Sequence, residues 1–178
     1  MRKLKLAELN RVDVPTFKKQ EKSSMVLVLD NIRSGLNVGS AFRTADAFAL
    51  EHVYLCGITA QPPHREILKT AIGATDSMDW TYAEETSQLV AQLKNEGYQV
   101  FAVEQAEDAI QLQNVEVAQE DKIALVFGNE VRGVSDAVMK VVNGAIEVPQ
   151  YGVKHSLNIS VCVGVVVWDI FKKMKGWT

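Results

Sequence analysis

Five short apolar, β-branched runs punctuate this chain, at residues 25–29, 52–55, 99–103, 123–127 and 145–148. A run that is apolar at every position suits a strand covered on both faces, which is the usual situation of a parallel strand. Between the runs lie stretches with helical spacing, at 38–48, 86–96, 135–141 and 157–173. Alternation of this kind specifies an α/β domain, a parallel sheet flanked by helices. No repeat or low-complexity tract interrupts it. The segment 59–79, with Pro62-Pro63 and Ala71-Ile72-Gly73-Ala74, is the longest irregular stretch and is expected to be a functional loop.

Chemistry-bearing residues gather where apolar runs end. The run 123–127 leads into Gly128-Asn129-Glu130, and the last run ends in Val148-Pro149-Gln150-Tyr151-Gly152. Ser156-Leu157-Asn158-Ile159-Ser160 then opens a long apolar helix, and Asn37-Val38-Gly39 with Arg43 follows the first run. Ligands of open α/β sheets sit outside the carboxyl ends of the strands, so these loops read as a small-molecule cradle beside a reaction centre.

At 178 residues and 47% apolar content, the chain suits one domain able to bury its own core. Two cysteines, Cys56 and Cys162, provide neither a disulfide framework nor a metal set, and no metal is expected. No apolar stretch is long enough to cross a bilayer, so no membrane partner is expected and a reducing, cytoplasmic location is. Net charge is −3, unevenly spread: residues 1–22 carry +4, the last eight +3, and residues 23–170 carry −10. Basic ends on an acidic body form a phosphate-binding surface where the fold gathers them, or else merely solvate exposed termini. The last helix is apolar nearly all round, from Leu157 to Phe171, and is expected to be covered on two sides, most simply in a homodimer.

Taken together, Asn37-x-Gly39-x-x-x-Arg43, Leu125-Val126-Phe127-Gly128-Asn129-Glu130-x-x-Gly133 and Val148-Pro149-x-x-Gly152-x-x-x-Ser156-Leu157-Asn158-Ile159-Ser160 resemble, in order and spacing, the three motifs of the SpoU/TrmH family of RNA ribose 2'-O-methyltransferases. Lys69-Thr70-Ala71-Ile72-Gly73-Ala74 resembles the family's loop after the second strand. The resemblance covers nearly everything from Ser24 onward. It implies the SPOUT fold, a parallel sheet flanked by helices with a C-terminal deep trefoil knot, S-adenosyl-L-methionine bound in the knot, and an active site at a homodimer interface. The chain then divides into a basic segment, 1–22, and a methyltransferase domain, 23–178. Ordinary fold statistics disfavour a knot, so that feature rests on the likeness alone.

The likeness also implies roles. Arg43 stands where the family activates the 2'-hydroxyl, although a guanidinium with a pKa above about 12 is a poor base. Arg43 is therefore expected to orient the substrate's phosphate and hydroxyl, and to lose a proton only when desolvated or to leave that step to a phosphate, water or carboxylate. Glu130 is expected to orient its neighbours. Asn37 serves as scaffold for Arg43 and Glu130, or as a helix cap, or both. Ser156 and Asn158 reach the cofactor and the ribose from the start of the last helix, and an amide inside an apolar helix needs a partner. Val103, Gly128, Val148 and Leu157 match cofactor-holding positions. His155 precedes Ser156 where a proton shuttle would suit, but the family varies at that position and the likeness implies no role for it.

RNA is the implied partner. Lys3, Lys5, Arg11, Lys18 and Lys19, with Arg65, Lys69 and Arg132, are expected to contact it, and His64 beside Arg65. The family includes enzymes for tRNA and for ribosomal RNA; a short basic segment in place of a separate N-terminal RNA-binding domain favours tRNA. Ribosomal RNA is the alternative, and a non-catalytic RNA-binding relative a further one. A dinucleotide oxidoreductase is disfavoured, since Gly35-Leu36-Asn37-Val38-Gly39 lacks the Gly-x-Gly-x-x-Gly spacing.

Overall fold

The computed structural model describes residues 1–177; Thr178, the last residue of the expected methyltransferase domain, lies outside the described residues. After a 3-10 turn at Leu6–Leu9, the elements run α1 (Val14–Lys19), β1 (Ser23–Asp30), α2 (Gly35–Ala47), β2 (Leu50–Cys56), α3 (Arg65–Ala71), α4 (Ala74–Ser77), β3 (Trp80–Ala83) and α5 (Thr86–Asn95). They continue with β4 (Gln99–Val103), β5 (Ile110–Gln111), β6 (Ile123–Phe127), α6 (Asp136–Met139), β7 (Gly144–Glu147) and α7 (Ile159–Met174). All seven strands are parallel, in the order β3-β2-β1-β6-β4-β7-β5.

Side chains along a strand alternate between faces, and the two central strands use this to build two cores. Met25, Leu27 and Leu29 of β1, with Ile123, Leu125 and Phe127 of β6, pack under α2 and α7 against Val38, Phe42, Val166 and Ile170. Val26, Val28, Ala124 and Val126 point the other way and meet Leu89, Val90 and Leu93 of α5 and Val138 of α6. Both faces are covered, which is why residues 25–29 and 123–127 are apolar throughout.

The strand order positions the site. From β1 the chain lays β2 and β3 on one side, then crosses to build β4 and β5 on the other, leaving gaps that β6 and β7 fill. The sheet therefore grows in opposite directions from the β1–β6 pair, and a crevice opens at such a switch point beyond the carboxyl ends. The loops after β1, β4, β6 and β7 converge there.

Three expectations require correction. Segment 59–79 is not a continuous loop: it holds α3 and α4, packed on α2 through Ile67, Ala71 and Ala74. Gly39 permits that packing, since a Cβ there would lie 2.3 Å from the Ile67 carbonyl oxygen. Strands β3 and β5 were not expected; both are edge strands, short and largely open to solvent, so neither needs a continuous apolar run. The helix expected at 135–141 is only the single turn of α6, and α7 begins at Ile159, leaving Ser156 and Leu157 in the preceding loop. Among the described residues no helix is long and apolar enough to cross a membrane.

Candidate active site

Asp30 ends β1 as a fully buried carboxylate, accepting hydrogen bonds from the Asn31 amide (2.8 Å), the Thr86 hydroxyl (2.6 Å) and the Ser135 N–H (2.9 Å). A buried carboxylate persists only when its oxygens are satisfied in this way. The next residue, Asn31, turns the chain with a left-handed φ of 57°, and its carbonyl accepts from the Asn129 side chain at 2.7 Å. The end of β1 thus grips both ends of the loop that leaves β6.

That loop is closed on itself. Asn129 and Gly133 exchange two backbone hydrogen bonds of 2.9 and 2.8 Å, and the Asn129 side-chain oxygen accepts from Val131 and Arg132. Val134 donates to the Glu104 carboxylate at 2.9 Å. Gly128 lies against the far side of the loop so tightly that a Cβ would sit 2.1 Å from the Gly133 carbonyl carbon. A backbone so fully bonded holds its outward side chains in place.

Glu130 is the principal one. Its carboxylate accepts from the Arg33 N–H (2.9 Å), the Ser34 N–H (3.1 Å) and the Asn37 amide (3.0 Å). Burial opposes its ionisation, but donation from Arg33, Asn37, its own N–H and Ser34 outweighs burial and holds the carboxyl below the usual range. Asn37 in turn accepts from the Asn158 amide at 3.4 Å, so a chain Glu130–Asn37–Asn158 links the three motif segments. The cap of α2 is Ser34, whose hydroxyl accepts from the Asn37 N–H, which leaves the Asn37 side chain free for Glu130. Asn158 is not inside α7; it is the exposed N-cap, accepting from the Ser160 N–H at 2.9 Å. Ser156 is exposed and makes no side-chain hydrogen bond among the described residues.

Beside this chain a cleft of about 700 Å³ opens between the loops after β4, β6 and β7. Val103, Gly128, Val148 and Leu157 all line it, as do Glu130, Arg132, Ser156 and Asn158. Cys162 lines it too, and burial, reinforced by the Glu104 charge, pushes its thiol up to about 11. Phe127, Val134 and Ile146 are buried in its lining while Glu130, Arg132, Ser156 and Asn158 are exposed there, a mixture usual in a ligand site. Among the described residues no cluster of His, Cys, Asp and Glu could hold a metal ion.

Arg43 stands apart. It is exposed, makes no hydrogen bond or ion pair among the described residues, and does not line the cleft. Asp46, one turn further along α2, accepts from the Ser77 hydroxyl. Six helical residues separate Arg43 from Asn37, roughly 120° around the axis of α2. Asn37 therefore scaffolds Glu130 but not Arg43 within one chain.

The expected RNA contacts are all exposed: Lys3, Lys5, Arg11, Lys18 and Lys19 near the start, Arg65 and Lys69 on α3, Arg132 on the β6 loop. Lys18 pairs with Asp79 at 3.7 Å. His64 is the N-cap of α3, and the backbone carbonyl of His155 accepts from the Gln105 side chain. Lys22, at the end of the basic segment, and Lys175, Trp168 and Trp177 near the other end line a second cleft of about 470 Å³; Lys3, Lys5, Arg11, Lys18 and Lys19 do not line it. Asp30, Glu104 and Gln105 escaped sequence reasoning, because no motif marks them and only the fold brings their partners within reach.

The SpoU rRNA Methylase family model matches residues 24–168, and the chain belongs to that family. It is 28% identical over 156 residues to the tRNA (guanosine(18)-2'-O)-methyltransferase of Aquifex aeolicus, covering 84% of this chain and 70% of that protein. It is also 28% identical over 172 residues to a putative TrmH family tRNA/rRNA methyltransferase of Staphylococcus aureus, covering 94% of this chain and 68% of the relative. The crystal structure of the A. aeolicus TrmH/SpoU tRNA modifying enzyme superposes with a TM-score of 0.81 at 21% identity, over 92% of this chain and 81% of that one. An AdoMet-bound rRNA methyltransferase of Sinorhizobium meliloti gives 0.77 at 22% identity, over 88% of this chain and 59% of that one. At such identities these two structures establish the shared fold.

Proposed function

We propose that this protein transfers a methyl group from S-adenosyl-L-methionine to a ribose 2'-hydroxyl of RNA, with tRNA the favoured substrate. The observation that carries this reading is the meeting of three separate motif segments at the sheet's switch point, where Asn37 of the first ties together Glu130 and Asn158, which both line the cleft. Family membership and the likeness to a tRNA 2'-O-methyltransferase support the reaction class.

The cleft suits the cofactor. Gly128 lets the β6 loop close tightly along the cleft wall, Val103, Val148 and Leu157 offer apolar surface for an adenine, and Glu104 and Glu130 supply carboxylates beside a cationic ligand. S-adenosyl-L-methionine supplies an electrophilic methyl on a positively charged sulfur. When bound it would supply the carbon for an in-line displacement in which a C–O bond replaces the C–S bond, the thioether departs as neutral product, and the hydroxyl proton passes to a phosphate, water or carboxylate. Positioning supplies much of the rate in such a displacement. Glu130, kept ionised by its donors, fixes Asn37, and Asn37 holds Asn158; Ser156 and Asn158 reach the methionine and the ribose; Arg43 holds the phosphate and hydroxyl.

Arg43 reaches the reacting hydroxyl only if a second copy of the chain brings it to the partner's cleft, and a homodimer is therefore part of the proposal. α7 offers a surface for it: Val161, Val165 and Trp168 form one exposed stripe while Val163, Val166, Val167 and Ile170 are buried. One face of α7 is covered within the chain, and the second copy would cover the other. The basic segment 1–22, the methyltransferase domain 23–178, the trefoil knot that the gap-filling strand order suits, and a cytoplasmic location complete the reading.

The test is transfer of labelled methyl to unmodified tRNA and, separately, to ribosomal RNA, followed by nucleoside analysis. A 2'-O-methylated nucleoside from tRNA is expected. Label in ribosomal RNA alone reverses the substrate assignment, and label in neither refutes the activity for both.

A further inference from the structure

Glu104, at the carboxyl end of β4, lies outside all three motifs, yet it is one of the most firmly held groups in the cleft. One carboxylate oxygen accepts from the Val134 N–H and the other from the Gln105 N–H, both at 2.9 Å. Space for it is made by Gly133, where a Cβ would sit 2.1 Å from the Glu104 carboxylate oxygen and where φ is +69°. The adjoining Gln105 side chain donates to the His155 carbonyl at 2.9 Å. The end of β4 therefore braces both cleft walls, the β6 loop through Glu104 and the loop before α7 through Gln105.

The carboxylate also has capacity left. An ionised carboxylate offers about four lone-pair positions, and two backbone donors occupy two of them. Glu130, by contrast, is engaged by three donors and committed to Asn37. Arg132 is the one Lys or Arg among the cleft's lining residues, so little positive charge opposes Glu104 there. The raised Cys162 thiol, disfavoured as an anion by burial and by Glu104, is a second sign that the interior of this cleft resists negative charge. Burial penalises a charge of either sign, whereas the Glu104 contribution favours a cation where it penalises an anion.

We infer that Glu104 is a specificity-determining residue of the cofactor cleft, whose fixed carboxylate favours the sulfonium donor over the neutral thioether product. This rests on the cofactor reading given above. The donor carries one more positive charge than the product and is otherwise nearly the same shape, so a fixed negative group separates them where apolar packing cannot. Product then yields its place to fresh donor after each turnover.

The experiment is calorimetric titration of the full chain with S-adenosyl-L-methionine and, separately, S-adenosylhomocysteine. Glu104→Gln keeps an oxygen for the Val134 N–H while removing the charge. It is expected to weaken donor binding roughly tenfold, the scale of one partly solvated charge contact, and to leave product binding within twofold. In the parent protein, added salt should weaken donor binding and spare the product. Equal weakening of both ligands in Glu104→Gln would make the residue merely structural and overturn the inference, as would an unchanged donor-to-product ratio. Absence of any binding to the parent protein would instead remove the cofactor reading, and the inference with it. If Glu104→Gln does not fold, the salt dependence of the parent decides alone: identical dependence for donor and product overturns the proposal.

Discussion

Replacing Gly128 with alanine tests whether the β6 loop is as tightly closed as the geometry indicates. The new Cβ would lie 2.1 Å from both the Gly133 carbonyl carbon and the Val134 nitrogen, and 2.4 Å from the Gly133 oxygen. Carbon atoms rest at about 3.5–4.0 Å, so the loop must retreat by roughly 1.5 Å. All three atoms are backbone, and no side-chain rotation relieves them. A retreat of that size breaks the Asn129–Gly133 pair and the bond from Val134 to Glu104. At about 1 kcal/mol net for each of three hydrogen bonds, the loss is about 3 kcal/mol, a large part of the 5–15 kcal/mol typical of a domain. Urea unfolding should show this loss, and calorimetry should show cofactor affinity reduced at least tenfold. Gly144→Ala is the control: its added Cβ would meet only the Phe101 side chain at 3.7 Å, an ordinary van der Waals contact, and stability should change by no more than about 0.5 kcal/mol. A Gly128→Ala protein within about 0.5 kcal/mol of the parent, binding cofactor normally, would refute the close-approach argument.

Other expected outcomes concern separate parts of the molecule. Arg43→Ala should abolish methyl transfer while leaving cofactor affinity within a few-fold, because Arg43 does not line the cleft; a parallel collapse of binding would assign it a structural role. Glu130 has a folded pKa below its ordinary 4.5, so its contribution is fully present above that value and is lost as pH falls through the lowered folded value. Acid unfolding of Glu130→Gln should accordingly show a weaker pH dependence below about 4.5 than the parent, and identical acid transitions would contradict the hydrogen-bond assignment. Simultaneous replacement of Lys3, Lys5, Lys18 and Lys19 should weaken RNA binding and flatten its salt dependence, and an unchanged slope would leave those lysines as solubilising groups. Trp168→Glu places a charge in the exposed apolar stripe of α7 and should convert a dimer to monomer in sedimentation equilibrium, with activity lost in step.

Much of the architecture was legible because it follows from local pattern. Residues 123–127 are apolar throughout, and they form a strand covered on both faces by two cores. Trp80–Ala83 and Ile110–Gln111 gave no such signal, since an edge strand has a neighbour on one side only and tolerates polar, exposed positions. The segment 59–79 read as irregular for a related reason. Its helices α3 and α4 are too short for a clear period, and they are held by packing against Gly39 and Asp46 of α2 rather than by their own propensity.

By itself the sequence determined the parallel α/β class and the family, and it singled out some of the residues that line the cleft, among them Gly128, Glu130 and Asn158. These follow from composition at each strand and from motif residues whose neighbours are close in the chain. Tertiary structure alone decided which motif residues meet. It joined Glu130 to Asn37 and Asn158 from three distant segments, set Arg43 on another side of α2, and brought Asp30 and Glu104 from β1 and β4 onto the successive N–H groups of Ser135 and Val134. The physical reason is that a hydrogen bond depends on direction and on distances near 3 Å. Such proximity across about a hundred residues is fixed by strand order, which no local pattern encodes.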